Sequence, residues 1–213
     1  MFAKQTFGKF SETFLLNYRL DKKQNKEYMP VQKITREEIV SKCVERFRTH
    51  GFHRTSMSEL AELCGLQKGS FYHYFSGKDE ILRAGLEQMR DFFADTVFIL
   101  AYDNHVPARK RMESMLERHA NIMLRGNGGC LVANIAAETI NTQPEFGVML
   151  REVSDRWHAA LTHILRSNYD AETARNLAWL IIQDIEGAVM LTRIYNDESF
   201  LQQAIQRSVE KLV

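Results

Sequence analysis

Cysteine is scarce in this chain and forms no pattern: Cys43, Cys64 and Cys130 are three in 213 residues, at unrelated spacings. An odd count without paired motifs excludes a disulfide framework and a structural zinc site, and it fits a reducing cytoplasm, where the protein is expected to work. Three prolines and eleven glycines are few for this length, while apolar residues recur at helical spacing, so an all-α fold is expected. No run of about 18 apolar residues occurs, which argues against a membrane span, and the N-terminus lacks the apolar stretch and cleavage site of a signal peptide. Charge of one sign is also missing. A net charge of +1 argues against indiscriminate coating of nucleic acid and makes any such contact depend on where a few cations sit. The seven histidines show no convincing ligand spacing, so no metal, no cofactor and no catalytic residue are assigned.

What is present is concentrated between Thr55 and Lys78. Ser56 with Glu59 three residues on is a capping box, so a helix should start there. Leu60, Ala61 and Leu63 give it one apolar face, and Gly65 supplies the left-handed residue that ends it and turns the chain. A second short helix follows. From Lys68 to Phe75 it turns only Phe71 and Phe75 inward, leaving Lys68, Ser70, Tyr72, His73 and Tyr74 to face outward. Two short helices across a glycine turn, presenting donors and aromatics, read as a DNA-binding helix-turn-helix. Thr35 and Glu38 form another capping box ahead of a supporting helix with Ile39, Val40, Cys43, Val44 and Phe47, stopped by Gly51.

The segment GLQKGSFYHYFSGKDEI resembles the hallmark of the TetR/AcrR family of one-component transcriptional regulators. Its pattern of Gly, apolar, Ser, Lys, Gly, small, apolar, Tyr, aromatic, Tyr or His, Phe and a later Lys departs at Gln67, where the family usually has a capping Ser. The resemblance implies a palindromic double-stranded DNA operator read by a homodimer, with Lys68 to Tyr74 in the major groove. Tyr72, Tyr74 and Lys78 would grip phosphates, Lys68, Ser70 and His73 would meet base edges, and Gly69 would permit close backbone approach, with Thr55 and Ser56 completing the set. It also implies a C-terminal helical domain that binds an effector and dimerises. Three regions are expected: an extension over residues 1–30, read as a mobile tail, a three-helix reader over 31–78, and an effector and dimerisation domain over 79–213.

Within that last region, Ser76 is expected to cap a long helix that runs through Leu82, Leu86, Met89, Phe93, Val97 and Leu100 and links the two domains. Pro107 opens a helix with Met112, Met115, Leu116 and His119 on one face, and Pro144 opens another with Phe146, Val153, Trp157 and Leu161 inward. An effector pocket for a small hydrophobic molecule is expected among Met89, Phe93, Met112, Met115, His119, Cys130 and Trp157, although a methionine stripe at this spacing is more often plain core. Asp170 caps a helix that is apolar nearly all round, so a partner subunit should cover it; Trp179, Ile182, Ile185, Gly187 and Ala188, with Ile205 and Val209 of the last helix, are the expected dimer interface.

The Gly-Cys-Leu beginning at Gly129 resembles a helix start in the branch of that family that includes the N-ethylmaleimide-responsive repressor. In the first turn of a helix, Cys130 would feel the positive end of the dipole, favouring a thiolate open to electrophiles. The alternative is a small packed residue. Two other functions compete with a repressor: a Cys130-dependent enzyme, which lacks an evident paired base, and a helical small-molecule carrier without DNA binding, against which Lys68, Tyr72, Tyr74 and Lys78 stand.

Overall fold

A computed structural model describes residues 34–124 and 128–212. The expected tail over 1–30 lies outside the described residues. Among them the chain is helical throughout: α1 (Arg36–His50), α2 (Met57–Leu63), α3 (Lys68–Tyr74), α4 (Lys78–Thr96), a 3-10 segment (Phe98–Tyr102), α5 (Ala108–Met123), α6 (Leu131–Thr139), α7 (Pro144–Leu165), α8 (Ala171–Tyr195) and α9 (Ser199–Val209). No described helix is long and apolar enough to cross a membrane.

The first three helices are started and stopped by local chemistry. Thr35 and Ser56 each accept from the backbone three residues on while Glu38 and Glu59 accept in return, so both capping boxes form. α3 starts at Gln67, which gives no side-chain cap. Apolar residues of α1 and the two short helices meet around Phe47, Phe52, Phe71 and Phe75, all essentially excluded from solvent, with Phe47 and Phe52 edge to face at 5.1 Å. Arg36 lies 4.5 Å over the Phe75 ring. α1 and α4 approach so closely that a Cβ at Gly85 would stand 2.1 Å from Val44 Cγ2.

α4 departs from expectation at both ends. Its cap is Gly77 rather than Ser76, because the Ser76 amide and hydroxyl both donate to the Glu80 carboxylate, at 2.8 and 3.0 Å. These bonds, the amide's first, with help from Arg36, hold that carboxyl below its usual range. At the far end α4 stops at Thr96 and continues as the 3-10 segment instead of running as α-helix through Leu100. Two arginines of α5 explain the change: Arg118 takes the Thr96 carbonyl at 2.8 Å and Arg111 the Ala101 carbonyl at 2.7 Å, satisfying acceptors that a continued helix would have used.

Behind the reader, α7, α8 and α9 pack in sequence order while α5 lies against the 3-10 segment and α9. Asp170 caps α8 by accepting from the Glu172 and Thr173 amides, and Asn196, at φ 51°, ends it in the left-handed region. Two cores result. One joins α4, α5, α7, α8 and α9; the other joins α1 to α4 with Phe146 and Leu150 of α7. α6 serves both: Leu131 and Ile135 belong to the reader's core, whereas Cys130 at its cap belongs to the rear core.

Candidate functional site

α2, the turn at Gly65 and α3 form a helix-turn-helix whose second helix is anchored from below. Phe71 and Phe75 hold α3 to the reader's core, 6.2 Å apart, so the opposite side faces solvent. Lys68, Gly69, Ser70, Tyr72 and His73 are exposed there, with Tyr74 half-buried at its edge. An ammonium, hydroxyls and an imidazole on one helix face can bond both phosphate oxygens and base edges in a groove. A Cβ at Gly69 would meet nothing within 4 Å, so its own fold does not require the missing side chain. Ser56 is exposed, its hydroxyl engaged in the α2 cap.

Two residues of the expected DNA-binding set are placed differently. Thr55 is buried, 2% exposed, and its hydroxyl donates to the Gly51 carbonyl at 2.7 Å, so it closes the α1–α2 turn instead of facing a ligand. Lys78, expected on phosphate, directs its ammonium to the carbonyls of Phe52, His53 and Thr55 at 3.0, 3.3 and 3.4 Å and stands 4.6 Å over the Phe52 ring. It fastens the start of α4 to the reader's first turn.

In the rear core the expected pocket residues do come together. Met89, Phe93, Met112, Met115, Cys130 and Trp157 share one hydrophobic cluster, and His119 is wedged between Phe93 and Trp157 with ring centroids 5.3 and 4.2 Å away. His119 Nδ1 and Trp157 Nε1 are buried and have no hydrogen-bond partner among the described residues. Burial lowers the His119 pKa to about 4, so the ring is neutral near pH 7, with one nitrogen a donor and the other an acceptor.

Of the two readings of Cys130, the small packed residue agrees with its burial and the thiolate is not met. Cys130 is the N-cap of α6, and the amides of Ala133 and Val132 do act in the thiolate's favour, but burial and the neighbouring Glu186 carboxylate outweigh them and push the thiol up. Glu186 is itself raised by desolvation. A thiol so held is a poor nucleophile, which counts against a Cys130-dependent enzyme.

The outward face of α8 also differs from expectation. Ile182, Ile185, Ala188 and Val209 turn into the protomer's own core. Trp179 is exposed and Gly187 and Ile205 are half-buried. The large apolar residues left open on α8 are Trp179, Leu180, Met190, Ile194 and Tyr195, with 40–65% of their surface accessible. Between α8 and α9 runs a groove of about 170 Å³ lined by Gln183, Gly187, Leu191, Phe200, Gln203 and Arg207. Leu180, Gly187, Leu191 and Ile194 recur at helical spacing, a signal present in the sequence but masked because the opposite face is equally apolar.

Comparison with known proteins agrees with this geometry. Residues 39–84 match the family model of bacterial regulatory proteins of the tetR family, and residues 108–207 match the C-terminal domain of LmrA/YxaF-like transcriptional regulators. The uncharacterized regulator YxaF of Bacillus subtilis is 26% identical over 178 residues, 78% of this chain and 88% of its own. A TetR transcriptional regulator from Legionella pneumophila has the same fold, with a TM-score of 0.78 at 19% identity, 86% of this chain matching 100% of that one. Reduced NemR of Escherichia coli shares the fold at a TM-score of 0.70 and 21% identity, over 81% of this chain and 94% of that one. With a helix-turn-helix in its first three helices and both models matched in order, the chain belongs to the TetR family of transcriptional regulators.

Proposed function

We propose that this regulator is a ligand-controlled repressor, a homodimer released from a palindromic operator when a small molecule enters its rear core. Residues 31–78 act as the reader and residues 79–213 receive the effector and the partner subunit. The observation that carries the reading is the pair of unpartnered nitrogens, His119 Nδ1 and Trp157 Nε1, buried in an otherwise apolar, methionine-rich cluster. Buried polar groups without partners are costly, and a ligand that supplies an acceptor and a donor relieves that cost. Because His119 is neutral and sits between the aromatic rings of Phe93 and Trp157, an uncharged molecule with an apolar body suits it. Met89, Phe93, Met112 and Met115 would line that body, and Cys130 would serve as wall and not as nucleophile.

Such a molecule releases DNA only by binding the DNA-incompetent arrangement better. The exposed donors of α3 support the reading of base edges by Lys68, Ser70 and His73 and of phosphate by Tyr72 and Tyr74, while the open apolar stripe of α8 supports a second copy as its cover. Selection of duplexes from a randomised pool by the purified protein tests the proposal. Two-fold symmetric sequences should be enriched, and uncharged aromatic compounds that quench Trp157 fluorescence should displace them, with quenching and displacement, but not enrichment, weakened in His119→Phe. Enrichment of asymmetric sites by a monomer, or quenching that leaves duplex affinity unchanged, would sink it.

A further inference from the structure

The turn between α1 and α2 is held from two sides by residues far away in the chain. On one side the Phe52 and His53 amides donate to the two carboxylate oxygens of Glu138, at 3.1 and 2.9 Å, and His53 Nε2 lies 3.0 Å from the Glu138 carbonyl. On the other, the Lys78 ammonium holds the carbonyls of Phe52, His53 and Thr55. A carboxylate on amides and an ammonium on carbonyls are the strong, charge-assisted form of hydrogen bond, and together they fix the turn's position as well as its shape. Gly51 belongs to the arrangement: at φ +93° it tolerates no ordinary side chain, and a Cβ there would stand 3.0 Å from Glu138 Oε1.

Glu138 sits in the last turn of α6, and the start of α6 is fastened to the last turn of α1 and to α8. Asn134 Nδ2 donates to the Arg48 carbonyl at 3.0 Å and to the Gly128 carbonyl at 2.7 Å, while Arg48 donates to the Gly129 carbonyl at 3.1 Å. Cys130, the cap of α6, contacts Glu186 of α8. This nine-residue helix therefore touches α8 at one end and grips the reader's first turn at the other, with side chains in both cores. That turn determines where α2 begins and hence where α3, packed on α2, is presented.

We propose that Glu138 is a positioning residue for DNA reading: its carboxylate locks the α1–α2 turn to α6, so that displacement of α6 by events in the rear core moves the recognition helix. The proposal rests on the reading of the chain as a ligand-controlled DNA reader and adds the residue that ties α6 to the reader's first turn. Linkage makes it testable without an identified effector, because DNA must act back on α6 by the same coupling.

The experiment compares wild type, Glu138→Ala and Glu138→Gln, with the exposed Glu145→Gln as control, using a duplex selected from a randomised pool. Amide exchange is measured with and without the duplex, alongside duplex affinity and thermal midpoint. Glu138→Ala should speed exchange at the Phe52 and His53 amides at least tenfold, weaken the duplex about tenfold, and abolish the duplex-induced change in exchange across α6 while the change at α3 remains. Glu138→Gln, which keeps the shape and one acceptor oxygen, should fall between, and it carries the same comparison should the alanine variant not fold. Wild-type duplex affinity in a variant that has lost protection at Phe52 and His53, or an α6 response that persists, overturns the proposal. A wild type that retains no duplex overturns the DNA-reading function and this proposal with it.

Discussion

The reader and the helices behind it bury their polar groups differently. In the reader, turns are closed by bonds that leave little to chance: two capping boxes, Thr55 on the Gly51 carbonyl, Lys78 on three carbonyls and Ser76 on Glu80. Behind it, the buried unpartnered side-chain atoms found among the described residues are Arg111 Nε, His119 Nδ1, Gln143 Oε1, Trp157 Nε1, Thr162 Oγ1 and Thr192 Oγ1, all beyond α4. Each such group costs about 1–3 kcal/mol against a hydrogen-bonded alternative. The reader's turns are thus closed by met bonds, while the rear region keeps unmet bonding capacity that a ligand or a shifted packing can answer. The proposed release of DNA on a signal would draw on that difference.

The contrast breaks most sharply at Phe71, fully buried beneath the recognition helix. Phe71→Ala should cost about 3–5 kcal/mol through lost transfer energy and a cavity, read as a drop in the denaturant midpoint together with loss of duplex binding. A smaller effect is expected at Lys78. Replacement by Met, which keeps the stem, should cost about 2–3 kcal/mol because charged bonds to three carbonyls vanish. Duplex affinity should fall without a change in its salt slope; a slope lower by about one counterion at an unchanged midpoint would restore a phosphate role.

In the rear region, acid is the probe. His119 has a folded pKa of about 4 against an unfolded value of about 6.5, so on acidification the unfolded chain binds the proton first. Stability is full above the unfolded value and declines as pH falls toward 4, by about 2 kcal/mol between pH 7 and pH 5. His119→Phe should flatten that part of the profile, and an unchanged profile would show that the ring is hydrated. The smallest change sharpens the reader. Gln67 gives α3 no side-chain cap, so Gln67→Ser should add about 0.5–1 kcal/mol, seen as a raised midpoint.

Much of the reader was legible because its signals are local. Capping pairs three residues apart predicted the starts of α1 and α2, and Asp170 that of α8, since a cap needs only its own first turn. The inward pair Phe71 and Phe75 likewise assigned the two sides of α3. What escaped depends on partners distant in sequence. Thr55 and Lys78 read as contacts to DNA because their acceptors, the carbonyls from Gly51 to Thr55, are backbone atoms that carry no sequence label. The change to 3-10 geometry after Thr96 depends on Arg111 and Arg118, and periodicity alone continues the helix. On α8, hydrophobicity pointed to Ile182 and Ile185, yet both faces are apolar and only packing decides which one the protomer keeps. At Cys130 the helix-start effect was foreseen correctly in sign, and the burial behind the alternative reading overrides it.

The seam between α1 and α4 has a consequence for what selection can accept. Gly85 has no side chain, and Val44 occupies the space where one would begin. In a library of single substitutions scored for duplex retention, position 85 should therefore be among the least permissive, refusing even alanine. Gly77, beside which a Cβ would meet nothing within 4 Å, should accept it readily. Tolerance along this chain then tracks the room around each residue and not its size, and relatives that carry a larger residue in place of Gly85 should carry a smaller one in place of Val44.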